Sequence, residues 1–72
     1  MEVYKSETRE VIRRFLGHRL SFPECIAALD SAFADLIPRL AGEQIIALRG
    51  LAFANNEIVM REMERRAARM RS

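Results

Sequence analysis

The chain has 72 residues, half of them apolar and 31% charged, with a net charge of +2. That length allows one domain, spanning 1–72, that buries only about 60% of its unfolded surface, and the apolar fraction excludes disorder by composition. No apolar run reaches the ~18–20 residues of a membrane span, and the charged start MEVYKSETRE lacks the apolar core of a signal peptide.

The first element is expected over 3–16. Tyr4, Thr8, Val11, Ile12, Phe15 and Leu16 share one face at about 100° per residue, while Glu7, Glu10, Arg13 and Arg14 fall largely opposite. Gly17 follows the last apolar residue, where a left-handed glycine would close the helix at little steric cost.

The second element, over 22–36, opens on SFPE. Ser21 and Glu24 have capping-box spacing, and Pro23 sits in the first turn, where no intrahelical N–H is required of it. Phe22, Cys25, Ile26, Leu29, Ala32, Phe33, Leu36, Ile37 and Leu40 form its stripe. Pro38 disfavours helical geometry at Ile37 and cannot bond back to Ala34, so the helix should end near Leu36.

The third element, over 43–70, contains no proline. It would be about 42 Å long, against about 27 Å at most for the second. Short turns favour antiparallel neighbours, which gives an all-α, three-helix up-down-up arrangement with an overhanging third helix. Ile45, Leu48, Ala52, Val59, Met63 and Met70 continue one stripe; Ile46, Phe53 and Met60 widen it on one flank, and Leu51 and Ile58 on the other. A helix apolar on several sides is buried from several sides, and two short helices hardly surround this one. A second copy completing a helical bundle is the simplest cover. The expected oligomer interface is Leu51, Phe53, Asn56, Ile58, Val59, Met60 and Met63.

The amide pair in FANNEIVM bears on that interface. On a wheel of 100° per residue Asn56 falls in the middle of the main stripe and Asn55 at its edge. An unpartnered buried amide costs about 1–3 kcal/mol, so Asn56 is expected to meet its counterpart in a second copy or a carbonyl at another helix end. A lone polar residue in such a seam fixes register. The rival is a break in which Asn56 caps a new helix at Glu57; a continuous helix is expected.

Enzymatic chemistry finds little support. A structural zinc site wants about four Cys or His ligands, whereas the chain has only His18 and Cys25, so no metal or cofactor is expected. Cys25 reads as a small hydrophobe, with no orienting acid or oxyanion motif beside it. A single cysteine also excludes an internal disulfide and suits a reducing, cytoplasmic compartment. No phosphate-binding glycine loop is present, and a chain this small leaves little room for a pocket of ~300 Å³.

Charge is unevenly placed. Residues 24–35 hold Glu24, Asp30 and Asp35 with no base, while residues 61–72 hold five arginines against Glu62 and Glu64. Arg61, Arg65, Arg66, Arg69 and Arg71 could contact phosphates. They also pair at helical spacing with Glu57 and Glu62, which reads as a solvated helix end. The expected function is therefore a small non-catalytic module whose partner is itself, as a homodimer or higher oligomer, and in addition another protein. The alternative is a nucleic-acid-binding regulator using the Arg-rich helix.

Overall fold

The computed structural model describes residues 1–71. Their regular structure is helical: α1 (Glu2–Leu16), α2 (Phe22–Leu36), a 3₁₀ turn (Ile37–Arg39) and α3 (Gly42–Arg71). The three-helix, up-down-up reading stands, and α3 runs unbroken through both asparagines.

Local signals set most of the boundaries. The capping box forms as spaced: the Glu24 N–H donates to Ser21 Oγ at 3.2 Å, and the Ser21 N–H donates to Glu24 Oε1 at 2.9 Å. These bonds to Ser21 hold the Glu24 carboxyl below its usual range. Pro38 ends α2, and the chain tightens into the 3₁₀ turn before Gly42 starts α3. Gln44 Oε1 accepts the Ala41 N–H at 3.1 Å, satisfying one of the donors that a helix start leaves open.

The end of α1 departs from expectation. Gly17 takes φ −85°, and the left-handed residue is His18, at φ 62°. The helical bonding continues through Gly17, whose N–H donates to the Arg13 carbonyl at 3.0 Å. The reversal therefore falls one residue later, where the Arg19 N–H closes back on the Arg14 carbonyl at 2.8 Å.

Ile12, Phe15, Cys25, Leu29 and Val59 form the central cluster, flanked by Val11, Leu20, Phe22, Ile26 and Met63. The Phe15 and Phe22 rings meet at 6.5 Å across the α1–α2 turn. The core is small, and much of α3 has no cover. At 30 residues α3 is about 45 Å long, which accounts for the 47 × 19 × 17 Å shape. The radius of gyration is 13.4 Å, against about 11 Å for a compact domain of this length.

The amides exchange roles relative to the sequence reading. Asn55 is half-buried and Asn56 exposed. The inward seam of α3 is Leu48, Ala52, Asn55, Val59, Glu62 and Arg66, in alternating steps of four and three. That is a seven-residue repeat, which drifts about 20° per heptad from a straight 3.6-residue wheel. A wheel started at Ile45 therefore selects Asn56 and Met70, while the true seam has rotated toward Asn55 and Glu62. Asn55 meets the Tyr4 side chain; burial pushes the Tyr4 hydroxyl pKa up, and the Asn55 amide partly offsets this by hydrogen bonding.

Candidate interaction surface

The seven residues expected to form one interface are distributed over three environments. Val59 is fully buried within the chain, and Met63 packs on the same core. Leu51 and Ile58 face α1, where they line a groove of about 270 Å³ with Tyr4, Thr8, Ile12 and Asn55. Phe53 and Met60 point outward on the other flank, 68% and 48% exposed, and Asn56 is exposed as well.

Ile46, which lies outside the expected interface, completes this outer set. Ile46 is 71% exposed and lies seven residues before Phe53, which itself lies seven before Met60. Residues seven apart on a helix stay on one side of a supercoil, so the three form a single apolar row. α3 thus carries two heptad seams: one is consumed by α1 and α2, and the other is bare. The sevenfold spacing was the available signal for Ile46. Large apolar residues exposed among those described, including Val3, Leu16 and Ile58, are as numerous as the buried apolar core, which makes this more than ordinary surface scatter.

The Arg-rich end is more ordered than a solvated face. Glu62 is 4% exposed. Arg65 donates to Glu62 Oε1 through Nε at 2.9 Å and also through Nη2, and Arg66 Nε donates to Oε2 at 2.7 Å. Arg66 then crosses to α1: its Nη2 donates to the Phe15 carbonyl at 2.9 Å, and its guanidinium lies 4.5 Å over the Phe15 ring. The last carbonyls of a helix lack intrahelical donors and carry the negative end of the dipole, so Arg66 caps α1 from 51 residues away. Within the expected phosphate-contacting set, Arg66 is committed inward, Arg65 is bonded to Glu62, and Arg61 lies 3.7 Å from Glu57. Arg69 and Arg71 are exposed.

The hydrogen bond from Arg65, reinforced by Arg66, holds the Glu62 carboxyl below its ordinary 4.5 despite desolvation. A depressed carboxylate contributes stability that is complete above the unfolded pKa and is lost as pH falls through the folded one. Stability should therefore hold from neutral pH down to about 4.5 and decline below it. Glu24 titrates in the same window, so an acid titration of Glu62→Gln, followed by circular dichroism, should flatten only part of the decline. An unchanged acid limb would contradict the role given to Glu62.

Cys25 and His18 sit in contrasting settings. Cys25 is fully buried, and desolvation pushes its thiol pKa up, as in an inert structural thiol. His18 is exposed in the α1–α2 turn. Among the described residues, no group of three or more His, Cys, Asp or Glu converges on one point, and no helix is long and apolar enough to cross a membrane. The clefts are larger than the chain length suggested. One, of about 410 Å³, lies between the start of α1 and the end of α2, with Glu7, Asp35 and Arg39 at its rim.

Comparison with known proteins adds no relative. The chain matches no family model, no curated protein and no solved structure.

Proposed function

We propose that the protein is a non-catalytic helical interaction module, working in a cytoplasmic compartment, that associates with itself through the outer row of α3. The observation carrying this reading is the exposure of Ile46, Phe53 and Met60 at heptad spacing on a continuous helix. Exposed area points the same way. A compact monomer of 8.3 kDa exposes about 4,600 Å², whereas this chain exposes 5357 Å². The excess of about 800 Å² equals what each partner contributes to a standard dimer interface. Nucleic-acid binding is the weaker reading, because Arg61, Arg65 and Arg66 already have partners within the chain.

A folded state stabilised by association melts at a temperature that depends on concentration. Thermal scans from about 2 to 200 μM should show the Tm rising by several degrees. A Tm independent of concentration over that range would contradict self-association.

A further inference from the structure

Building on that self-association, we infer that the second copy lies antiparallel on α3, with the two-fold axis crossing the helix near Asn56 and Glu57. The apolar row alone does not choose a direction. Phe53 and Met60 lie on either side of this point, so antiparallel pairing sets the Phe53 ring of one copy beside Met60 of the other. Parallel pairing would instead stack like on like. Sulfur–aromatic contact favours the first arrangement modestly.

Charge decides more firmly. α2 runs antiparallel to α3, so Asp35 lies toward the end of the molecule where α3 begins, while Asp30 borders a cleft with Ala52, Asn55 and Asn56 at the middle of α3. Both are exposed, and neither forms an ion pair among the described residues. In the antiparallel arrangement the Arg-rich stretch 61–71 of the second copy arrives at the start of α3, where Asp35 and Glu43 offset Arg39 and Arg49, so no net positive charge opposes it. The parallel arrangement would instead set the two Arg-rich stretches side by side, where like charges repel. Along the seam itself, Arg49 of one copy reaches Glu64 of the other, and Glu43 reaches Arg71, each pairing occurring twice by symmetry. Arg49 and Glu64 are exposed and about 22 Å apart on their own helix, so they cannot pair within one chain.

Asn56 has a place in this arrangement. It is exposed beside Phe53 and Met60, and its side chain has no hydrogen-bond partner among the described residues. At a two-fold axis each Asn56 amide has the other as donor and acceptor, and a single such pair penalises slipped registers. Glu57 near the axis is the unfavourable feature, and Arg61, 3.7 Å away on the same helix, partly neutralises it.

The test uses the full chain carrying Ala68→Cys and Cys25→Ala, spin-labelled at the exposed position 68, with light scattering on the same sample. Antiparallel pairing puts the two labels roughly 35 Å apart along the helices; parallel pairing brings them within about 15 Å. A dimer with the long distance supports the proposal. A dimer with the short distance overturns the antiparallel arrangement and leaves self-association standing, whereas a folded monomer overturns both. Charge exchange on the unlabelled chain gives a second reading. Arg49→Glu should weaken the dimer about tenfold, and adding Glu64→Arg should restore it. Failure of the double variant to recover would overturn the proposed facing of Arg49 and Glu64.

Discussion

Phe53→Glu is expected to give a folded monomer. The substitution puts a carboxylate at the centre of the bare row, where the wild-type ring is 68% exposed in the single chain. Nothing inside the chain depends on that ring, so helicity and the core should survive. In a dimer the same position would be covered, and burying an unpaired charge there costs several kcal/mol, enough to raise Kd by at least about a hundredfold. Val59→Glu provides the contrast. Val59 is fully buried among Ile12, Phe15, Cys25 and Leu29, so a charge there should unfold the chain outright. Circular dichroism with size measurement separates the two outcomes: helical and small for Phe53→Glu, unfolded for Val59→Glu. If Phe53→Glu kept the size of the wild type, the outer row would not be the interface.

Arg66→Ala should be the most damaging change among the arginines. Arg66 caps the last turn of α1, covers the Phe15 ring and holds one oxygen of Glu62. Its hydrogen bond to the Phe15 carbonyl contributes about 1.5–3 kcal/mol, and its stacking on Phe15 about 1 kcal/mol more. In a domain of this size a loss of about 2 kcal/mol lowers Tm by roughly 10 °C. Arg61→Ala removes only an exposed contact at 3.7 Å and should shift Tm by a degree or two. Arg66→Lys should recover little, since an ammonium lacks the planar fork that serves Glu62 and the carbonyl together. Thermal denaturation of the three variants checks the order. Equal losses for Arg61→Ala and Arg66→Ala would mean that the helix end is indeed only solvated.

The parts of this fold that could be read from the sequence are those set by neighbours along the chain. Ser21 and Glu24 are three residues apart and define the start of α2 by bonding each other. Pro38 acts on Ile37 and Ala34 through steric and hydrogen-bonding rules that need no tertiary information. The apolar surplus on α3 was equally legible, because it is a count of residues around one helix. The direction of that helix's faces was not. Asn55 and Asn56 differ by 100° on the wheel, and a drift of about 20° per heptad turns the seam by about 30° between Ile45 and Asn56, which moves it off Asn56 and toward Asn55.

Arg66 shows the second kind of limit. Its i,i+4 spacing from Glu62 was visible, and at that level the pair resembles any surface ion pair. What brings Arg66 and Glu62 against the rest of the chain is the arrival of α1, whose Phe15 is 51 positions from Arg66, and no local pattern encodes that meeting. Part of the expected interface failed to group for the same reason. Val59 and Met63 belong to the seam that the chain covers itself, Leu51 and Ile58 face α1, and Ile46 joins Phe53 and Met60 on the row it leaves bare.

Molar mass is the most direct measure of whether that bare row meets a second copy. Light scattering on the wild-type chain at about 50 μM and moderate salt should give twice the 8.3 kDa of one chain. A helical, cooperatively melting species of 8.3 kDa at that concentration would contradict it.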